Sequence, residues 1–433
     1  MSPLVIGVIG FIVLIVLLLL RMPVAVAMGI IGVVGMACIV GWDAGLNLLK
    51  TVPYGVAANY GYSVIPLFIL MGTFCFYAGV SQDLYYATHK WLGQLPGGLA
   101  MATVGACAGF AAVSGSSLAT AATMGTVALP EMRKYGYDSA LATGCVAAGG
   151  TIGILIPPSV VLVIYGILTE QSIGKLFMGG FIPGVLEAVF YIATIYILCK
   201  RNPLLGPSGA RTSFKEKATA LKGVWVVVVL FAVVIGGIYL GIFSPTEAAG
   251  VGACGALVLA LCQRRLSWQG FNSSLLETGK TTAMVLTVLI GAMLFNRFLA
   301  VTRLPFELAS IASGLVLNRY IILGAVLVAY VALGCLMIPM AMVILTIPIV
   351  FPLIIALGFD PIWFGIITVR IFEIAQITPP VGMNVFVIKG VAKDVSMGTI
   401  YKGILPFFLA DLCHLALLIV FPQIVLFLPG FMG

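Results

Sequence analysis

Charge is the scarcest property of this 433-residue sequence: Asp, Glu, Lys and Arg make up 8% of it, and it has only 2 histidines. A soluble globular domain carries about 25% charged residues, whereas 62% of this chain is hydrophobic. The composition excludes a soluble fold and predicts an all-α polytopic membrane protein, with the lipid bilayer as its surroundings. The net charge of +8 does not indicate a nucleic-acid partner, because the basic residues lie between apolar runs, where they act as topology signals.

Patterns for a resident metal, a nucleotide or a disulfide framework are also missing. No CxxC or Cys/His cluster occurs, and the nine cysteines lie in or beside apolar runs, which favours free thiols used for packing. GKTT at 279–282 resembles a phosphate-binding loop, but Ser274 stands where that motif needs its first glycine. We therefore expect no cofactor and no direct ATP hydrolysis. The first apolar run has no basic residue before it, which predicts a retained first span rather than a cleaved signal peptide.

Apolar runs long enough to cross about 30 Å of hydrocarbon occur along the whole chain. We place spans at 4–20, 22–42, 57–80, 139–168, 176–199, 223–243, 246–262, 279–300, 361–390 and 403–430. Two longer stretches, 98–130 and 320–357, are interrupted by SGSS (114–117) and by GCLMIP (334–339). Each is too long for one span, so both are predicted to be re-entrant hairpins. Most Lys and Arg lie in cytoplasmic loops if the N-terminus is outside.

An internal repeat relates the two halves of the chain. A shift of 222 positions (352 − 130) places Pro130 on Pro352 and Pro157–Pro158 on Pro379–Pro380. Five predicted spans separate equivalent elements, and an odd number makes the repeats inverted, as in many secondary transporters. The predicted divisions are an N-terminal two-span segment (1–56), a first repeat (57–199), a linking helical hairpin (200–278) and a second repeat (279–433). The stretches 82–97 and 304–319 are predicted to be amphipathic arms.

The two Pro-Pro pairs interrupt membrane-length runs, in TIGILIPPS and in QITPPVGMN. Proline donates no amide hydrogen bond, so each pair frees carbonyl oxygens four residues earlier. Such carbonyls are tolerated at membrane depth where they line a cavity or bind a cation such as Na⁺. We expect each hairpin tip to face one break. The first predicted sodium site comprises Ser114, Gly115, Ser116, Ser117, Gly150, Thr151, Gly153 and Ile154, and the second comprises Ile338, Pro339, Glu373, Ala375, Gln376 and Thr378.

The same loops leave room for a substrate between the two ion sites. Its predicted contacts are Ser116, Ser117, Pro157, Pro158, Arg370, Pro379, Pro380, Gly382 and Asn384. The alternative is that the prolines only kink helices whose neighbours satisfy the backbone, with the serines bonding to the backbone.

Four charged or titratable residues of the apolar runs have two interpretations each. Arg370 either attracts an acidic substrate group or forms an ion pair with Glu373, one turn later. Asp411 and His414 share a face of the last span, and form either a hydrogen-bonded structural pair or a coupling group. A Ser–His pair between the first tip and His414 would indicate an intramembrane serine protease, which is a remote alternative.

The whole chain resembles the large membrane subunit of tripartite ATP-independent periplasmic (TRAP) transporters. The resemblance lies in SGSSLATAATMGTVALPEM, GGTIGILIPPS, MIPMAMVILTIPIVFPL and QITPPVGMNVFVIKG. It implies a sodium-coupled elevator mechanism in the bacterial inner membrane, a small four-helix membrane subunit as a separate chain, and a soluble periplasmic substrate-binding protein. The implied substrate is an organic acid, of the sialic acid or C4-dicarboxylate class. A stand-alone sodium-coupled anion symporter of the same superfamily is the alternative, although its Ser-Asn-Thr hairpin motifs are missing here.

The resemblance also predicts which parts move. We expect 98–168 and 320–390 to move against a scaffold of the spans 57–80, 176–199, 279–300 and 403–430. Arg297 and Arg303 fall on the predicted outer side, against the positive-inside pattern. They either reach for lipid headgroups or dock the acidic surface of a substrate-binding protein.

Overall fold

The computed structural model describes residues 2–314, 317–335 and 337–432. Within those ranges it contains only helices and the turns between them, which confirms the all-α prediction. Residues 315 and 316 of the predicted second arm and residue 336 of the predicted second hairpin lie outside the described residues.

The first half of the chain contains the elements of the N-terminal segment and of the first repeat. Its helices are α1 (Pro3–Leu19), α2 (Val24–Ile39), α3 (Trp42–Ala57), α4 (Val64–Tyr77), α5 (Val80–Leu92), α6 (Gly98–Ser114), α7 (Ser117–Lys134), α8 (Ser139–Thr151), α9 (Val160–Thr169) and α10 (Ile173–Arg201). We call α6 with α7 hairpin 1, and the segment 152–159 between α8 and α9 break 1.

The second half contains the linking helices and the equivalent elements. Its helices are α11 (Phe214–Ala220), α12 (Trp225–Tyr239), α13 (Pro245–Cys262), α14 (Trp268–Thr302), α15 (Leu304–Gly314), α16 (Arg319–Gly334), α17 (Pro339–Ala356), α18 (Pro361–Ile377), α19 (Met383–Val391), α20 (Met397–Val420) and α21 (Gln423–Leu426). We call α16 with α17 hairpin 2, and the segment 378–382 between α18 and α19 break 2.

The helix bounds follow the sequence repeat closely. Helix α7 covers 117–134 and α17 covers 339–356, so both ends differ by 222 (339 − 117 and 356 − 134). The helices after them begin at equivalent aspartates: Asp138 accepts from the amide of Leu141 and Asp360 from that of Trp363, each at 2.9 Å. A side chain that accepts from the third residue onward is a strong helix start signal. Both Pro-Pro bonds are cis.

Three helices differ from the sequence predictions. Helix α3 was not predicted, because its sequence mixes polar and apolar residues around Pro53. Helix α14 begins at Trp268, eleven residues before the predicted span at 279 (279 − 268). The last span, predicted to end at 430, ends at Val420, since Pro422 starts the short helix α21.

By length and composition, six helices of the described residues could cross a membrane, or seven if the bent pair of α11 with α12 counts as one span. These are the segment ending in α4, and α10, α13, α14, α17 and α20. Helices α1, α2, α6, α8, α9 and α16 are shorter apolar helices. In each broken helix the two halves reach membrane length only when they are counted together. Break 1 and break 2 therefore lie part-way along two membrane-length segments.

Candidate functional site

The tip of hairpin 1 lies directly against break 1. A Cβ atom on Gly153 would stand 2.7 Å from the carbonyl oxygen of Ser116 and 2.8 Å from the hydroxyl oxygen of Thr120. A Cβ on Gly115 would stand 2.7 Å from the carbonyl oxygen of Pro158. The Ser114 and Thr120 hydroxyls are 3.0 Å apart. Glycine at these two positions therefore allows the hairpin tip and break 1 to approach closely, and the approach places oxygen atoms, the ligand type that hard cations such as Na⁺ prefer, beside the break.

Hairpin 2 lies against break 2 in the same manner. The Cys335 thiol stands 3.8 Å from the carbonyl oxygen of Thr378 and 3.7 Å from that of Pro379. The predicted free carbonyl of Ala375 accepts from the Thr378 amide at 3.3 Å. Tyr401 on α20 donates to the carbonyl oxygens of Pro380 and Val381 at 3.0 and 2.8 Å. Side chains from neighbouring helices therefore satisfy part of break 2.

Direct contacts join the two repeats at this site. The Ser117 hydroxyl at the tip of hairpin 1 donates to Gln376 Oε1, one turn before break 2, at 2.9 Å. Asn384, just after break 2, donates to the carbonyl oxygen of Ala147 on α8 at 3.1 Å. Each contact bridges more than 230 residues of sequence and is buried, so the breaks form one structural unit.

A cavity of about 290 Å³ lies between the two hairpin tips and the helices α4 and α14. Hairpin 2 contributes Ile338, Pro339 and Met340 to it. The lining residues from hairpin 1 are Phe110, Ser114, Gly115, Ser116, Ser117, Leu118, Ala119, Ala122 and Thr123. The wall from α4 and α14 includes Thr73, Glu277 and Thr281. No Lys or Arg of the described residues lines this cavity, and Glu277 is its one charged lining residue.

Three helices begin at the cavity: α7 at Ser117, α9 at Val160 and α17 at Pro339. The first amides of a helix lack partners within the helix, and the helix dipole places partial positive charge there. Three N-termini that point at one space therefore form an electropositive region without any basic side chain.

The predicted substrate contacts are only partly brought together. Ser116 and Ser117 line the cavity, whereas Pro157, Pro158, Arg370, Pro379, Pro380, Gly382 and Asn384 do not. The first proline pair is buried and the second is exposed. Asn384 is fully buried because it fastens α19 to α8. Contact of these seven residues with substrate therefore stays a prediction.

Arg370 lies in a fully buried cluster of charges. Its Nη1 donates to Glu187 Oε1 at 2.9 Å and to Glu373 Oε2 at 3.0 Å, and its Nη2 donates to Asp411. All four side chains have 0% exposure. The spacing of Arg370 and Glu373 correctly indicated an ion pair. In this structure Arg370 and Glu373 bond to each other and to neighbouring helices, and their predicted roles in substrate and ion binding stay predictions.

The charge cluster reaches break 1 through Thr151. The Thr151 hydroxyl is 3.1 Å from Glu187 Oε1 and 3.2 Å from the Tyr191 hydroxyl. Thr151 was predicted to belong to the first ion site, whereas in this structure its hydroxyl contacts Glu187, Tyr191 and the carbonyl oxygen of Ala148. Of the first predicted ion site, the structure therefore assembles the hairpin tip with Gly150, Gly153 and Ile154.

His414 does not pair with Asp411. Neither ring nitrogen of His414 has a hydrogen-bond partner among the described residues, and its ring packs against Phe190 with centroids 5.5 Å apart. The predicted hydrogen-bonded pair is wrong because Arg370 is the partner of Asp411. Ser117 bonds to Gln376, so the hydrogen bond that a Ser–His protease needs is not formed among the described residues.

Sequence reasoning missed Thr120, Glu187 and the wall residues Thr73, Glu277 and Thr281. Glu187 could have been found, since an isolated acidic residue within an apolar run marks a buried partner or a functional site. Thr73, Thr120 and Thr281 carried no comparable signal, because hydroxyl side chains are ordinary in membrane helices. Glu277 was missed because it lies before the predicted start of its span at 279. The described residues contain no group of three or more His, Cys, Asp or Glu that could hold a metal ion.

Arg297 and Arg303 are both exposed, near the C-terminal end of α14. Arg303 adopts a left-handed backbone conformation (φ 57°) as the residue that ends the helix. Both predicted roles, lipid contact and partner docking, are therefore sterically open.

Comparison with known proteins places this architecture among transporters. The family model described as "Tripartite ATP-independent periplasmic transporter, DctM component" matches residues 11–424. The C4-dicarboxylate TRAP transporter large permease protein of Pseudomonas aeruginosa is 38% identical over 382 residues, which cover 88% of each chain. The sialic acid TRAP transporter large permease protein of Vibrio cholerae is 33% identical over 388 residues, covering 89% of this chain and 90% of that protein.

The isethionate TRAP transporter permease protein DctMQ of Oleidesulfovibrio alaskensis is 34% identical over 411 residues, which cover 94% of this chain and 64% of that protein. Among solved structures, the Alcanivorax borkumensis YdaH transporter superposes with a TM-score of 0.61 at 16% identity, covering 90% of each chain. The Neisseria gonorrhoeae MtrF pump superposes with a TM-score of 0.56 at 14% identity, covering 91% of this chain and 86% of that one. These two structures are similar in fold alone.

Proposed function

Because this chain belongs to the DctM family of large permease subunits of TRAP transporters, we propose that it imports organic acids by sodium-coupled, binding-protein-dependent transport. The observation that carries the proposal is the cavity in which the tips of both hairpins meet the wall of α4 and α14. The chain is a multi-pass protein of the bacterial inner membrane. A small four-helix membrane subunit and a periplasmic substrate-binding protein complete the proposed system.

The cavity suits an anion that is held by helix ends. A carboxylate placed beside Ser116 and the first turns of α7, α9 and α17 would meet backbone amides and the Ser116 hydroxyl, since the Ser117 hydroxyl donates to Gln376. Such groups bind negative charge without the desolvation cost of a buried Lys or Arg. Relatives named for C4-dicarboxylate, isethionate and sialic acid transport support an organic acid. The higher identity to the dicarboxylate permease favours that class over sialic acid.

Sodium is proposed to occupy the oxygen-lined space between hairpin 1 and break 1, and its counterpart at hairpin 2. The candidate ligands of the first site are the Ser114 and Thr120 hydroxyls, which are 3.0 Å apart, and the carbonyl oxygens of Ser116 and Pro158, which lie beside Gly153 and Gly115. A cation there would offset the charge of a bound carboxylate in the neighbouring cavity, so each would raise the affinity for the other. This mutual stabilisation is the proposed physical basis of coupling.

The proposed elevator boundary differs from the one expected from sequence. Arg370 on α18 contacts Glu187 on α10 and Asp411 on α20, and breaking a buried pair costs about 3–5 kcal/mol. A sliding motion between α18 and these helices would break both pairs. We therefore assign α10 and α20 to the moving unit with the hairpins and broken helices, and α4 and α14 to the scaffold.

Uptake into proteoliposomes tests the function. With the membrane complex and its binding protein present, an inward Na⁺ gradient is expected to drive succinate uptake without ATP. Replacing Na⁺ by choline should abolish uptake. N-acetylneuraminate in place of succinate tests the substrate class, and omission of the binding protein tests the stand-alone symporter. Full uptake in choline would refute sodium coupling, and full uptake without the binding protein would support the symporter.

The ion sites make a separate prediction. Thr120→Val and Thr378→Val should each raise the Na⁺ concentration for half-maximal uptake by about fivefold, because loss of one polar contact costs about 1 kcal/mol. Thr126→Val is the matched control, because Thr126 lies on α7 outside both breaks and both hairpin tips, while its hydroxyl, like that of Thr378, donates to a carbonyl oxygen of its own helix. If both test variants show the Na⁺ dependence of the control, the placement of the ion sites is wrong.

Arg303 is proposed to dock the substrate-binding protein. Arg303→Glu is expected to abolish uptake that depends on the binding protein while the membrane complex stays assembled, because charge reversal converts attraction to repulsion. Added salt should weaken docking of the unmodified protein. Lys222→Glu, at an exposed position in the basic linking segment, should leave uptake unchanged. Normal uptake by the Arg303 variant would mean that this residue only anchors the protein in the membrane.

A further inference from the structure

The charge cluster connects the ends of both broken helices. Thr151 is the last residue of α8, immediately before break 1. Its hydroxyl lies 2.6 Å from the carbonyl oxygen of Ala148 in its own helix and 3.1 Å from Glu187 Oε1, and the same carboxylate oxygen accepts from Arg370 Nη1 at 2.9 Å. Arg370 Nη1 also donates to Glu373, which is one turn before Gln376 and the start of break 2. One carboxylate oxygen of Glu187 thus joins the two repeats at depth.

The bonding of Glu187 is one-sided. Its Oε1 takes both contacts, whereas its Oε2 has no partner among the described residues. The side chain has 0% exposure, so water does not screen these contacts, and hydrogen bonds to charged groups are strong in such surroundings. If Thr151 shifts when break 1 rearranges, the position of Glu187 Oε1 changes, and with it the hydrogen bond from Arg370 to the same oxygen.

A second buried contact between the repeats lies beside the cavity, where Ser117 donates to Gln376. It joins hairpin 1 to the last turn of α18, while the Glu187 contact joins the end of α8 to the same helix. Helix α18 is therefore held from two sides of break 1. The C-terminal turn of α18 leads into break 2, so its position depends on both hairpin 1 and the end of α8.

We propose that Glu187 is a positioning residue that couples the two breaks, so that Na⁺ bound at one site raises the affinity of the other. The inference rests on the proposed sodium coupling. Thr151 transmits the state of break 1, Glu187 relays it, and Arg370 with Glu373 sets the last turn of α18. Allosteric coupling between sites typically changes affinity by about 5–150-fold, which corresponds here to a sigmoidal dependence of uptake on Na⁺ concentration.

The test measures the Hill coefficient of Na⁺-activated uptake in proteoliposomes that contain the whole transporter. Thr151→Val keeps the shape of the side chain and removes its hydroxyl, and Glu187→Gln keeps an acceptor oxygen and removes the charge. Thr143→Val is the matched control, because Thr143 lies on the same helix and bonds only within it. Thr151→Ser retains the hydroxyl and should restore the unmodified behaviour. Thermal unfolding of each purified variant reports whether it is folded.

The expected result is a Hill coefficient well above 1 for the unmodified protein, the control and Thr151→Ser, and close to 1 for Thr151→Val and Glu187→Gln. The double variant should be no worse than Glu187→Gln, since both changes interrupt one connection. A folded Thr151→Val protein with an unchanged Hill coefficient overturns the inference, even if Glu187→Gln does not fold. An unmodified protein that needs Na⁺ but shows a coefficient near 1 overturns it too. Uptake independent of Na⁺ would instead refute the proposed function.

Discussion

Replacing Arg370 by methionine is expected to destabilise the protein by about 3–5 kcal/mol, because it leaves buried carboxylates without their cation. Glu187, Glu373 and Asp411 each bond to this one guanidinium. Their formal charges and that of Arg370 sum to −2 (1 − 3), so removing the arginine makes the imbalance larger. Thermal unfolding of the detergent-solubilised protein measures the loss.

The imbalance also predicts a rescue. Adding Glu187→Gln and Asp411→Asn to the Arg370→Met protein removes two of the uncompensated charges, and should recover much of the lost stability. Arg319→Met is the matched control, because Arg319 is exposed and packs over the Tyr320 and Phe359 rings. Its loss should cost less than about 1 kcal/mol. An Arg370→Met protein as stable as the control would mean that the buried charges are not compensated by this arginine.

Cross-linking α10 to α12 is expected to stop transport. The Phe181 and Phe231 rings have centroids 5.5 Å apart across these two helices, so cysteines at both positions are near enough for a flexible bis-maleimide reagent to bridge them. Helix α12 packs on α13, which packs on the scaffold helix α4, so we count α12 with the scaffold. If α10 belongs to the moving unit, the bridge ties it to the scaffold, and uptake should fall to less than about a tenth. If α10 belongs to the scaffold, as the sequence first indicated, the same bridge would have no effect.

The controls separate restraint from chemical damage. The exposed native cysteines Cys38, Cys254, Cys262 and Cys413 are replaced by serine in the background protein. A bridge between cysteines at Arg133 and Asp394 lies within the moving unit, where the two side chains are 2.6 Å apart, and should leave uptake intact. The same Arg133 hydrogen bond holds the pKa of the Asp394 carboxyl below its ordinary value. Full uptake by a completely bridged Phe181–Phe231 sample would refute the assigned boundary.

Local sequence signals predicted the elements of the fold well. The hairpin tips, the two Pro-Pro breaks and the helix starts at Asp138 and Asp360 depend on residues that are close together in the chain. Each carries its own physical cause: a missing amide donor, a flexible glycine or a capping side chain. The end of the last span was missed because the residues after Val420 are as apolar as those before it.

Partnerships between distant residues could not be predicted in the same way. The spacing of Arg370 and Glu373 revealed one ion pair, but Glu187 lies 183 residues from Arg370, and nothing in either local sequence specifies the other. The same distance led to the wrong pairing of Asp411 with His414, and it concealed the contacts on which the proposed moving boundary rests. Residue type identified the charged groups, and only packing of the helices decided their partners.

The buried arginine also has a consequence for biosynthesis. Glu187 is translated 183 residues before Arg370. Helix α10 therefore enters the bilayer before the arginine that pairs with Glu187 has been synthesised. A charged residue near the middle of an inserting helix costs about 2.5–3.5 kcal/mol, and that cost persists until α18 and α20 are in place. The first repeat alone is therefore an incomplete assembly intermediate. It can reach its folded state only after α18 and α20 have been synthesised and inserted.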